Sequence, residues 1–95
     1  MKLVPEFSDW IGGLKDLLTQ KRLVARLKKA QLGNLGDVKP VGHGVQEMRE
    51  DFGPGWRMYF TRRGRTMIVL LAGGDKCTQT ADIAKAVTLA ERLEG

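Results

Sequence analysis

Residues 45–72 read VQEMREDFGPGWRMYFTRRGRTMIVLLA, and the change of period inside this stretch decides the fold class. Side chains of a strand alternate between two faces. Residues 45–51 and 56–62 follow that two-residue period, and Phe52, Gly53, Pro54 and Gly55 form a turn-rich link between them, so the pair reads as an antiparallel hairpin. Arg63 and Gly64 make the next turn. Residues 66–72 are almost wholly apolar and rich in β-branched side chains, as expected of a central strand covered on both faces, and Gly73 and Gly74 are expected to end it. Three consecutive strands in so short a span call for a small, mainly antiparallel sheet.

Helices are expected on either side of it. Pro5 suits the first position of a helix, where its missing N–H is not needed. Phe7, Trp10, Ile11, Leu14, Leu17 and Leu18 recur at three- and four-residue steps, interrupted by Gly12 and Gly13, so this helix is expected to end near Lys15 or Asp16. A second helix carries Leu23, Val24, Leu27 and Ala30 on one side, with Gly33 as its C-terminal cap, and the two look like a hairpin. Residues 34–44, dominated by Asn, Gly, Asp and Pro, read as a connecting loop. Beyond the strands, Thr78 or Thr80 can cap a last helix with the apolar stripe Ile83, Ala86, Val87, Ala90 and Leu93. Lys2 to Val4 is no more than a stub of strand. The order is therefore a short β followed by α-α-β-β-β-α, an α+β fold in a single domain over 1–95.

With 42% hydrophobic and 28% charged residues, the 95-residue chain has the make-up of a folded globular domain rather than a disordered tail. No apolar run is long enough to span a membrane or serve as a signal peptide, so the cytoplasm is the expected location and no membrane partner is expected. One cysteine, Cys77, excludes an internal disulfide, and with His43 as the single histidine a Cys/His metal site is not expected. Cys77 itself reads as a small buried or helix-capping thiol. No Ser/His/Asp set and no Walker loop is present.

The formal charge of +5 favours an anionic partner. Its placement is more telling. Lys21, Arg22, Arg26, Lys28 and Lys29 fall in one acid-free stretch, and Arg57, Arg62, Arg63 and Arg65 in another. Either run alone also suits a solvated helix face or a hairpin tip; together they point to nucleic acid. Lys39, in the glycine-rich segment, joins them as a candidate RNA contact. On the strands, Arg57 and Tyr59 face one way and Trp56, Met58 and Phe60 the other. Glu47 and Arg49 share a face with Arg57 if the register allows, although a cross-strand salt bridge to Glu47 or Glu50 is the alternative use for these arginines. Lys76 follows two glycines that let a cation approach a phosphate closely. His43 can act as a base near neutral pH, or stand as a solvated loop residue. Tyr59 reads as packing at the edge of the patch.

Three blocks, GDVKPVG at 36–42, GPGWRMYFTRRG at 53–64 and LLAGGDKCTQTADIAKA at 70–86, together with FSDWIGGLKD at 7–16, resemble the small toxins of the RelE/ParE superfamily, in the branch of RelE- or HigB-like addiction-module killer proteins. The resemblance covers nearly the whole chain. It implies a RelE/ParE-like fold, with an N-terminal helical hairpin packed on the sheet and a C-terminal helix. It also implies a toxin neutralised by a cognate antitoxin, commonly a helix-turn-helix protein that alone contacts operator DNA. RelE-like members enter the ribosome and cut mRNA without a metal or other cofactor. Arg57 then matches the family arginine at the scissile phosphate, Arg49 a basic residue at the reacting groups, and Lys76 a basic residue for charge stabilisation. Lys21, Arg22, Arg26, Lys28 and Lys29 would grip ribosomal RNA, joined by Lys39, Arg62, Arg63 and Arg65. Residues 77–95 lack the tyrosine or histidine that the best-understood ribosome-dependent members carry there, so general acid and base are open, with His43, Glu47 and Asp82 as replacements. The first strand is shorter than is usual in the family, which either weakens one sheet edge or leaves it for the antitoxin to complete. Two other readings stay in play: a gyrase poison of the ParE type, and a non-catalytic RNA-binding module, whose double-stranded-RNA-binding form shares the order α-β-β-β-α.

Overall fold

In the computed structural model, which describes residues 1–65 and 67–94, five strands form one sheet. They are β1 (Lys2–Leu3), β2 (Val38–Gly42), β3 (Val45–Arg49), β4 (Arg57–Arg63) and β5 (Met67–Gly74). The helices are α1 (Pro5–Gly12), α2 (Leu17–Gln31) and α3 (Gln79–Glu94), the last preceded by a 3₁₀ turn at Lys76–Thr78. Strand order is β1-β5-β4-β3-β2, with β1 parallel to β5 and the other pairs antiparallel. The fold is α+β.

Two adjacent glycines show how the helices are distributed. Neighbouring residues of a strand face opposite ways. A Cβ on Gly73 would run into the Trp10 ring of α1, and one on Gly74 into Asp82 of α3 and Thr78. Helices α1 and α3 therefore cover opposite faces. Arg62, with the same parity as Met58 and Phe60, lines a hollow with Ala30 and Leu32 at the end of α2, which puts α2 on the α1 side. Phe7, Leu23, Met48, Met58, Phe60 and Leu70 are fully buried, each contributing about 1.5–3 kcal/mol by leaving water. Trp10 packs edge-on against Trp56, ring centroids 6.2 Å apart, and joins α1 to the start of β4.

Several local expectations are met and several need correction. Pro5 does occupy the first turn of α1, and Gly33, at φ +99°, follows α2. There its N–H bonds the Ala30 carbonyl while that of Asn34 bonds Lys29, closing the helix end as a paired cap. However, α1 stops at Gly12 rather than near Lys15, its last turn tightening as the N–H groups of Gly13 and Leu14 bond the carbonyls three residues back, Trp10 and Ile11. Asp16 instead starts α2, accepting from the Leu18 N–H and the Thr19 hydroxyl. The segment read as a loop holds β2, which pairs with β3 despite Pro40 and slips register between Pro40 and Gly42. An edge strand tolerates proline because one side of it makes no ladder. The glycines at 73 and 74 lie inside β5, not beyond it. Asp75, rather than Thr78 or Thr80, caps the turn leading into α3, through the Cys77 N–H. Cys77 is exposed. Thr66, expected to open the apolar strand, lies outside the described residues.

Candidate functional site

The register of the three long strands gathers the site. Arg49 stands opposite Arg57, and Arg57 opposite Gly74; one row away, Lys39 pairs with Glu47, Glu47 with Tyr59, and Tyr59 with Ala72. All these residues share the face that α3 covers. Glycine and alanine on β5 leave room there, and the start of α3 fills it: Gln79 donates its side-chain amide to Glu47 Oε2 at 2.8 Å, and the Thr78 hydroxyl donates to Asp82.

Charge is distributed unevenly in this cluster. Arg57 is 2% exposed and, among the described residues, has no carboxylate partner; Nη1 donates to the carbonyls of Glu50 at 3.1 Å and Trp56 at 2.9 Å, while Nε is buried with no partner among them. Arg49 Nε lies 3.7 Å from Glu47 Oε1, two residues away on the same strand; among the described residues, the anticipated cross-strand salt bridge forms from neither Arg49 nor Arg57. Glu47 is 2% exposed, held between Arg49 and Gln79. The Tyr59 hydroxyl is buried without a hydrogen-bond partner. Burial first, and the neighbouring Glu47 carboxylate second, push its pKa above the ordinary phenol value. Tyr59 therefore sits inside the cluster rather than at the edge of a patch, and as a neutral phenol.

A buried guanidinium with spare donors is a fixed source of positive potential, and such preorganised charge is strongest where water is excluded. Arg49, with its side chain 36% exposed, and the exposed Lys76 bring cations to the surface. Lys76 lays its aliphatic stem against Gly55, in the turn just before Arg57, and so belongs to the same end of the sheet. Glu47 is the carboxylate that pairs with Arg49 in this group. Among the described residues, no three His, Cys, Asp or Glu side chains gather as a metal site requires.

His43 does not join the cluster. It forms the two-residue turn between β2 and β3, exposed and at φ 55°, beside Val45, which pairs with Thr61. Four residues of strand separate Val45 from Arg49, about 13 Å. Lys21, Arg22, Lys28 and Lys29 are exposed on α2, with Arg22 stacked on the Phe52 ring at 3.7 Å. Arg26 has another occupation: its guanidinium donates to the carbonyls of Leu35, Asp37 and Arg49 and pairs with Glu50 at 3.1 Å. It ties α2 to β3 and to the segment before β2, and has little left to offer RNA. Arg62, Arg63 and Arg65 lie at the β4–β5 hairpin, the end of the sheet away from Arg57. Lys39 is exposed on β2 in the row of Glu47. Sequence reasoning missed Gln79. Its only signal is the spacing of Gln79 and Asp82, one helical turn apart and directed at the small residues of β5.

An α+β chain with helices on both faces of a five-stranded mixed sheet, and an arginine–glutamate cluster under its last helix, is the class of protein described so far. The chain belongs to the family described as Phage derived protein Gp49-like (DUF891), whose profile matches residues 9–94. An uncharacterized protein of Haemophilus influenzae is 41% identical over 93 residues, spanning 98% of this chain and 94% of its own length. No solved structure matches the chain. No helix among the described residues is long and apolar enough to cross a membrane.

Proposed function

We propose that the chain is the toxin of a toxin–antitoxin pair and cleaves mRNA on the ribosome without a metal ion. The observation that carries this reading is the row of Arg49 and Arg57 with Glu47 one step away on the same face. RNA supplies its own nucleophile, the ribose 2′-hydroxyl. When that oxygen attacks phosphorus, the bond to the 5′-oxygen breaks and a cyclic phosphate remains; the attacking hydroxyl loses a proton and the leaving oxygen gains one. Glu47 is the proton acceptor in this scheme, and solvent water protonates the leaving oxygen. Arg49 and Lys76 meet the phosphate at the surface, and Arg57 stabilises the developing charge from beneath. The RelE- and HigB-like resemblance of the sequence and the Gp49-like membership support the class of activity. Arg22, stacked on the Phe52 ring, and the exposed Lys39 serve as a sequence-independent grip on RNA, and a cognate helix-turn-helix antitoxin is the partner that silences the toxin.

The test is cleavage mapping of one mRNA in a purified translation system, with a ribosome-free control. Cuts should require ribosomes and fall by about 10²–10³ in rate for Arg57→Ala, the scale of losing one preorganised charge-stabilising group. Intact mRNA with unimpeded translation sinks the reading. DNA breaks in cells expressing the chain would transfer it to a gyrase poison.

A further inference from the structure

Five large hydrophobic side chains stand exposed among the described residues, and three of them, Leu17, Leu18 and Leu32, lie at the two ends of α2. Leu32 is 88% exposed. The same helix carries Lys21, Arg22, Arg26, Lys28 and Lys29 and no acidic residue. Gln20, Val24, Lys28 and Gln31 follow the steps that put residues in one row along a helix, and this row is about 16 Å long.

Two hollows open along it. One, of about 330 Å³, is floored by Ile11, Val24 and Ala25 and bordered by Lys21 and Lys28. The other, of about 300 Å³, lies among Ala30, Leu32, Leu35 and Ile68 and is bordered by Arg62 and Arg65. Each is an aliphatic depression with a cationic rim and no carboxylate in its lining. An exposed apolar strip of this kind marks an interaction surface.

We propose that this flank of α2 is the docking surface for an acidic amphipathic helix of another protein. Aliphatic side chains of such a helix, spaced by one or more turns, fill the two hollows, and carboxylates between them reach Lys21, Lys28, Arg62 and Arg65. Single-stranded RNA fits the surface less well. Its bases stack on aromatic rings or guanidinium planes, whereas both hollows are floored by aliphatic groups and the Arg22–Phe52 stack lies outside their linings. The surface is on the opposite side of the sheet from the Arg57 cluster, and the inference does not rest on the nuclease reading.

A displayed library of 16-residue peptides built from Ala, Leu, Gln, Ser, Glu and Lys, selected against the full chain, tests this directly. Binders should place Glu between Leu residues at three- and four-residue steps and shift the amide NMR signals of α2. Their affinity should fall at least tenfold for the double variant Lys21→Glu with Lys28→Glu, and likewise for Leu32→Asp, with melting temperatures unchanged because all three side chains are exposed. The proposal is overturned if no binder emerges, if the binders are lysine-rich, or if these substitutions leave affinity intact. It is equally overturned if a 12-nucleotide RNA gives the same α2 shifts, or if the chain self-associates through this face and Leu32→Asp abolishes the dimer.

Discussion

Arg57 owes its position to carbonyl oxygens, not to an opposing charge, and that makes its stability and its chemistry separable. A buried guanidinium without a carboxylate is costly to keep, so Arg57→Met should melt at the same temperature as the parent or above it while RNA cleavage is lost. A large fall in melting temperature would mean that the bonds to Glu50 and Trp56 outweigh the burial of charge. Tyr59 allows a cleaner measurement because it is the single tyrosine of the chain. Its pKa is raised in the folded state, so the neutral phenol stabilises the fold fully below the unfolded value of 10.0, and that contribution is lost as pH rises beyond it. Phenolate absorbance should therefore appear above pH 10 only together with unfolding, and Tyr59→Phe should flatten the alkaline loss of stability. The two-residue alternation made it legible that Glu47 shares a face with Arg49 and Arg57 with Tyr59, but not that the two pairs meet on one face of the sheet. Nothing in the sequence tells whether Arg57 comes to stand beside Glu47 and Arg49, because a one-residue change of the β3–β4 register would turn it to the other face.

Arg26 fastens three elements at once, and the cost of removing it follows from the bonds it makes. Arg26→Ala leaves the carbonyls of Leu35, Asp37 and Arg49 and the Glu50 carboxylate without their donor, a loss of about 3 kcal/mol in urea denaturation. Arg26→Lys should recover little of it, since one ammonium cannot reach three carbonyls and a carboxylate in the guanidinium's plane. Gly74→Ala should cost about 1–3 kcal/mol, because the new methyl displaces Asp82 and Thr78 and with them the start of α3. The long, strongly patterned elements were readable from composition and period. Those that were not share one physical cause: glycine and proline mean different things according to what packs against them. Gly73 and Gly74 read as a strand end but are strand residues kept small by Trp10 and Asp82, and Pro40 reads as loop but lies on an edge that needs only one ladder. Arg26 looked like one more solvated cation, since its acceptors are backbone atoms with no signature in the sequence.

Both edges of the sheet are guarded. One is the two-residue β1, and the other, β2, carries Lys39, Pro40 and a register slip. Charge, proline and irregularity all discourage a further strand from adding. Replacing Lys39 with Thr and Pro40 with Val should raise the tendency to associate, visible as concentration-dependent sedimentation that the parent does not show. On the face that α1 covers, the two tryptophans of the chain meet edge-on, Trp10 from the helical layer and Trp56 immediately before Arg57. Two indoles held this way couple their electronic transitions, so the protein carries a built-in optical gauge of whether its helical layer remains seated against the strand that bears Arg57. Any partner or RNA that disturbs that seat will announce itself in the unlabelled chain's emission and near-ultraviolet dichroism.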